Sequence, residues 1–202
     1  MAIRAVIWDL GGVFLRTEDY APRTAAAQRL GMSRQELENL VFSSPLGIKA
    51  QLGQVSAEQH WESLRQILGL TADEMVKLRR DFWGGDRLDN ALISDVRALR
   101  SAYKIGLLSN AFSDLREYLT EAWRFADIFD EMIISAEVGM MKPGAQIFQL
   151  TLDRLHLHPN QAVFIDDTVQ NVAGAQALHI HAIHFQSPDQ VMAELRELLG
   201  KY

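Results

Sequence analysis

From residue 90 onward the chain alternates between short apolar, β-branched runs and segments of helical periodicity, and no other feature constrains the fold as much. Strands are expected over 103–108, 131–135, 162–165 and 181–185, with helices over 90–100, 113–122, 143–155, 168–178 and 189–199. A further apolar run, 3–8, supplies a strand at the start of the chain. Strands separated by helices pair in parallel through right-handed crossovers. Runs this continuously apolar also require both faces of the sheet to be covered.

Between the first strand and the alternating region lies a long stretch, 16–86, whose patterning is helical. Gly31 and Gly69 read as helix stops, each followed by an N-cap with Glu three residues later, Ser33 with Glu36 and Thr71 with Glu74. Ser56 with Gln59 marks a third helix start. The expected fold class is α/β, a Rossmann-like parallel sheet flanked by helices, with a helical cap inserted after the first strand. Its core takes 1–15 and 87–202 and its cap 16–86. An insert at that point sits above the carboxyl edge of the sheet, where open α/β sheets bind ligands, and suits a lid.

Polar residues stand immediately after the apolar runs. Asp9 follows Trp8 and precedes Gly11 and Gly12, glycines that let backbone approach a ligand and aim N–H groups at an anion. A carboxylate there can attack phosphorus; taken alone, it reads first as a turn cap. Ser109 and Asn110 end the next strand, where a hydroxyl and backbone N–H groups suit phosphoryl oxygens, or simply cap a helix. Lys142 precedes Pro143, a favoured first helical residue, so its ammonium is expected at a helix N-terminus that disfavours cations unless an anion compensates. Asp166 and Asp167 place adjacent carboxylates at a strand end, a repulsion that a divalent cation offsets. With no Cys or His beside them, oxygen ligands favour Mg²⁺ over Zn²⁺. Asn171, one turn on, is placed to orient either carboxylate.

A formal net charge of −6 works against nucleic acid and anionic membranes as partners, while a small phosphorylated substrate remains compatible with a local cation. The chain has no cysteine, which excludes thiolate chemistry and disulfides. No signal peptide pattern or membrane-spanning apolar run is evident, so a cytoplasmic protein is expected.

Taken in order, the segments 9–13, 108–110, 139–143 and 165–171 resemble the four motifs of the haloacid dehalogenase-like hydrolase superfamily. They are most similar to the subgroup containing bacterial sugar-1-phosphate phosphatases and the N-terminal phosphatase domain of mammalian soluble epoxide hydrolase. The resemblance implies a Mg²⁺-dependent phosphatase acting on a small phosphorylated metabolite, sugar phosphates included, through an aspartyl phosphate. It implies Asp9 as nucleophile and metal ligand, the Gly11 carbonyl and Asp167 as further ligands, and Asp166 as a nearby or water-mediated one. Ser109, Asn110 and Lys142 would hold phosphate, with Gly12 beside them.

One position departs from the pattern. Superfamily phosphatases usually carry a second Asp two residues after the nucleophile as general acid and base, and here that residue is Gly11. Glu18 and Asp19 follow closely, on what reads as the solvated start of the cap. Two alternatives stand beside the phosphatase: a silent binding module that has lost its proton shuttle, and a dehalogenase, which would not need the Asp166–Asp167 pair. His179, His181 and His184 read as strand-end residues, and Trp61, Phe82 and Trp83 as cap packing. Arg16, Tyr20, Lys49 and Gln51 are the cap residues expected to select the substrate.

Overall fold

The computed structural model describes residues 2–200. Seven strands and eleven α-helices alternate among them: β1 (Ala5–Trp8), β2 (Leu15–Thr17), α1 (Ala21–Arg29), α2 (Arg34–Glu38), α3 (Pro45–Gln51), α4 (Ala57–Ile67), α5 (Ala72–Trp83), β3 (Asp86–Leu88), α6 (Asn90–Leu99), β4 (Lys104–Ser109), α7 (Leu115–Glu117), β5 (Glu131–Ile134), α8 (Ser135–Val138), α9 (Ala145–Leu155), β6 (Ala162–Asp166), α10 (Val169–Gln176), β7 (His181–His184) and α11 (Pro188–Leu199).

Five strands form a parallel sheet in the order β5-β4-β1-β6-β7. The period of two along β1 sends Val6 and Trp8 into an apolar layer with α6 and α11 residues such as Val96 and Leu195. Ala5 and Ile7 enter the opposite layer, with Phe148 and Leu152 of α9 and Ala175 of α10. Burial on both faces accounts for the near-continuous apolar strands. Trp8 pairs with Leu107 and Ile165, so the register brings the residues just past these pairs to one edge of the sheet.

Helices α1 to α5 form the cap around their own core of Leu37, Val41, Trp61, Leu64, Leu78 and Phe82, into which Phe112 reaches from the loop after β4. The three helix starts form as expected: Ser33 with Glu36, Ser56 with Gln59 and Thr71 with Glu74 each make a capping box. Gly31 and Gly69 lie at φ +71° and +65° in the stops that precede two of them.

The stretch read as wholly helical also contributes two three-residue strands, β2 and β3, paired antiparallel with Leu15 opposite Leu88 and Thr17 opposite Asp86. Three residues are too few to display alternation. This ribbon carries the chain into and out of the cap, and both residue pairs 15/16 and 86/87 lie in it. Beside it the two crossings pass so closely that a Cβ on Gly85 would meet the Asp19 carbonyl oxygen at 1.6 Å.

Two helices differ from expectation. The segment 113–122 is the short α7 followed by a wide turn, Tyr118–Ala122, closed by the Trp123 N–H on the Tyr118 carbonyl at 2.8 Å. Helix α9 starts at Ala145, so Pro143 belongs to the preceding turn and is not its first residue. No helix among the described residues is long and apolar enough to cross a membrane.

Candidate active site

Three adjacent parallel strands deliver the site. Ser109 ends β4, Asp166 ends β6, and Asp9 follows β1 between them, its N–H donating to the Ile165 carbonyl at 2.9 Å. Lys142 arrives from the loop before α9 and is 2% exposed. Its Nζ lies 2.8 Å from Asp9 Oδ1 and 2.6 Å from Asp166 Oδ2. The compensating anion expected for Lys142 is thus a pair of protein carboxylates, and the ammonium is withdrawn from solvent. With α9 beginning later than expected, the ammonium is also not at that helix's N-terminus.

Asp166 is fully buried and saturated: besides Lys142, it accepts the Thr168 N–H at 2.8 Å and Asn171 Nδ2 at 3.1 Å on each oxygen. That makes Asn171 the orienting partner of Asp166. Asp167 points to solvent, with Thr168 Oγ1 donating to it at 3.3 Å, while its carbonyl lies 2.9 Å from His184 Nε2.

One backbone expectation changes. Gly12 does not offer its N–H to an anion, because that group donates to the Leu15 carbonyl at 2.9 Å. Its requirement is steric: at φ +74°, a Cβ would stand 2.0 Å from Asp167 Oδ2. The Asn110 side chain likewise faces the protein, its Nδ2 donating to the Lys142 carbonyl at 2.9 Å and its Oδ1 accepting the Lys142 N–H at 2.8 Å. Asn110 therefore positions Lys142, a role with no local sequence signal because its partner lies 32 residues away. Ser109, 3% exposed, lines the cavity described below.

Oxygens of Asp9, Asp166 and Asp167 lie within 4.8 Å of one another, and the charge balance leaves two negative charges unmatched when all three ionise against Lys142. A hard divalent cation fits this donor set, which is all oxygen, and fits the charge. Burial, reinforced by the Asp166 charge and opposed by Lys142, pushes Asp9 up to about 7. Desolvation within the cleft and the Asp166 charge also raise Asp167.

A testable consequence concerns stability in EDTA. Because the fold favours protonated Asp9, its stabilising contribution is complete below the unfolded value of 3.8 and is lost as pH rises towards about 7. At about 1.36 kcal/mol per unit the upper bound is about 4 kcal/mol, reduced by the ion pair lost with the side chain. Asp9→Asn is therefore expected to raise Tm over the parent at pH 8 and much less at pH 5. A gap that does not change with pH would contradict this origin.

Above the site, cap and core enclose a cavity of about 370 Å³ that reaches Gly11, Ser109 and Asn110. Of the four cap residues expected to select substrate, Gln51 lines it. Arg16 instead pairs with Asp89 at 2.6 Å, Tyr20 lies beneath Arg34 at 4.4 Å, and Lys49 is exposed. Glu18 and Asp19 are exposed too, with Asp19 accepting the Ala21 N–H at 2.8 Å. Trp61 and Trp83 are more than cap packing, since both line the cavity, whereas Phe82 is fully buried.

The haloacid dehalogenase-like hydrolase family model matches residues 3–179. A sesquiterpene phosphatase of Aspergillus oryzae is 26% identical over 202 residues, 98% of this chain and 97% of that protein. Bifunctional epoxide hydrolase 2 of Sus scrofa is 26% identical over 99% of this chain, which spans 39% of that longer protein. Among solved structures, a HAD family enzyme from Bacteroides thetaiotaomicron in complex with magnesium and inorganic phosphate superposes with a TM-score of 0.77 at 21% identity, covering 92% of this chain and 95% of that one.

Proposed function

The chain belongs to the haloacid dehalogenase-like hydrolase family, and from that premise we propose that it is a Mg²⁺-dependent phosphatase that hydrolyses a small phosphate monoester through an aspartyl phosphate on Asp9. One observation carries the reading: Asp9 stands at the strand edge with Lys142 Nζ 2.8 Å from one of its oxygens and the Asp166 and Asp167 oxygens within 4.8 Å. A relative that matches this chain over nearly the full length of both proteins is named a phosphatase, which supports the same reaction.

In this reading Lys142 holds Asp9 Oδ1 and leaves Oδ2 to attack phosphorus. As that bond forms, the bond from phosphorus to the ester oxygen breaks and the alkoxide or phenoxide departs, taking its proton from solvent; water then cleaves the acyl phosphate, releasing inorganic phosphate and a proton and regenerating the carboxylate. Asp9, Asp167 and the Gly11 carbonyl would hold Mg²⁺, with Asp166 behind them orienting Lys142. The ion supplies charge neutralisation, so that an anionic nucleophile and an anionic phosphoryl group can approach. Ser109 and the Lys142 ammonium face the transferred group.

Nothing at position 11 protonates the leaving group. General acid catalysis is worth about 10²- to 10⁴-fold, so esters of acidic alcohols, phenols or anomeric hydroxyls are expected to react far faster than ordinary alkyl phosphates. Position 11 has room for the missing group: a Cβ there meets nothing within 4 Å, and the backbone needs no positive φ. Gly11→Asp is accordingly expected to raise kcat on alkyl phosphates about 10²-fold and to flatten the dependence of rate on leaving-group pKa. A flat dependence in the parent enzyme would refute the missing-acid argument.

The deciding experiment measures phosphate release from p-nitrophenyl phosphate and α-glucose 1-phosphate in Mg²⁺ or EDTA. Turnover in Mg²⁺ that EDTA abolishes supports the phosphatase. Absence of turnover on every ester would favour the binding module instead.

A further inference from the structure

The cavity over Ser109 and Asn110 is walled by Phe42, Trp61, Trp83, Phe112, Tyr118 and Trp123. Several of these rings brace one another: Phe42 stacks on Phe112 at 5.9 Å and meets Trp83 edge-on at 5.8 Å, and Tyr118 stacks on Trp123 at 5.4 Å. Tyr118 and Trp83 are nonetheless 42% and 37% exposed, large aromatic surface that an occupant of the cavity would cover.

Two of the polar side chains among these walls, Gln51 and Asp86, are hydrogen-bonded within the protein. The Gln51 amide donates to the Phe42 and Gly47 carbonyls at 2.7 and 3.3 Å. The Asp86 carboxylate accepts Arg23 at 2.9 and 3.1 Å and Thr17 at 2.6 Å. Arg79 lies over the Trp61 ring at 5.1 Å and acts electrostatically on Asp114. A polyol placed here would find the Gln51 amide and the Asp86 carboxylate already paired and would exchange hydration for aromatic surface along most of the wall, whereas a hydrocarbon would release water from that surface.

We infer that the alcohol half of the substrate is a bulky apolar group, aromatic or long-chain hydrocarbon, bound against the Phe42, Trp83, Phe112, Tyr118 and Trp123 walls, rather than a sugar. This rests on the phosphatase reading for its chemistry and on the cavity for its specificity. The phosphate end lies at the carboxylate site, and the apolar end rises into the cap.

The test varies apolar size while leaving-group acidity stays nearly constant. With the Mg²⁺-loaded enzyme and a series of 4-alkylphenyl phosphates, kcat/KM is expected to rise about four-fold per added methylene until the cavity is filled, and a 4-glucosyloxyphenyl phosphate, a phenol ester carrying a sugar, is expected to fall below the longer members of the series. Tyr118→Ser and Trp83→Ser should lower that slope, and both residues are exposed enough to be replaced without emptying the core. A flat series, or a preference for the 4-glucosyloxyphenyl ester, overturns the inference while leaving the phosphatase intact. A second measurement needs no turnover: calorimetric binding of alkylphosphonates to Asp9→Asn protein. Affinity that climbs with chain length upholds the apolar site even if no ester is hydrolysed, in which case the phosphatase reading alone has failed; constant affinity overturns it.

Discussion

Asp9→Asn is expected to lower phosphate release from p-nitrophenyl phosphate in saturating Mg²⁺ by roughly 10⁴- to 10⁶-fold, the scale seen when a covalent nucleophile is removed. The amide keeps the shape of the side chain and loses both the attacking electron pair and the charge opposite Lys142. Structural damage is not the expected cause, because the same substitution relieves a buried carboxylate and should leave the protein at least as stable at neutral pH. The parent enzyme, lacking a residue at position 11 to activate water, should accumulate phosphorylated Asp9 during turnover, and intact-mass spectrometry should detect it. The variant should show none. Activity within ten-fold of the parent would remove Asp9 from the reaction.

Lys142→Met carries the second large effect, and it falls on stability as well as rate. The ammonium is almost fully enclosed and bridges Asp9 and Asp166, which are themselves buried. Removing one member of a buried ionic network leaves uncompensated charge and costs about 3–5 kcal/mol. Urea denaturation should show that loss in EDTA, growing from acid to neutral pH as Asp9, whose carboxyl burial pushes up to about 7, ionises. Combining Lys142→Met with Asp166→Asn should cost less than the two single changes summed, since the second removes a charge the first has stranded. Turnover should be lost in the single variant, because Asp9 then has neither its orienting partner nor an opposing charge. A Met variant as stable as the parent at pH 8 would mean the Lys142 contacts are not energetically coupled.

Much of the framework was legible from local pattern. The apolar runs announced the strands because a strand buried on both faces has no polar side to show, and the cap helices announced themselves through Ser33, Ser56 and Thr71, whose hydroxyls satisfy helix N–H groups three residues on. The residues at the strand ends could be nominated for the same reason: Asp9, Ser109 and Asp166 each interrupt or end an apolar run. The ribbon of β2 and β3 was invisible, since each strand is three residues long and its partner lies about seventy residues away in sequence. So was the wide turn after α7, which uses the same residue types as a helix.

What sequence by itself determined, then, was the order of elements, the parallel sheet and the set of charged groups at its carboxyl edge, because these depend on periodicity and on residues next to one another in the chain. Tertiary structure alone decided how those groups divide their work. The Asn110 side chain is tied to the Lys142 backbone, the Gly12 N–H to Leu15, and Asp166 to Lys142 and Asn171, while Asp167 stays open to solvent. It also decided that Phe42 and Trp83 of the cap face Phe112, Tyr118 and Trp123 of the core across one cavity, and that Arg16, Tyr20 and Lys49 do not. Hydrogen-bond partners and cavity walls are set by distances between segments remote in sequence, and a linear pattern does not encode which side chain a buried donor reaches first.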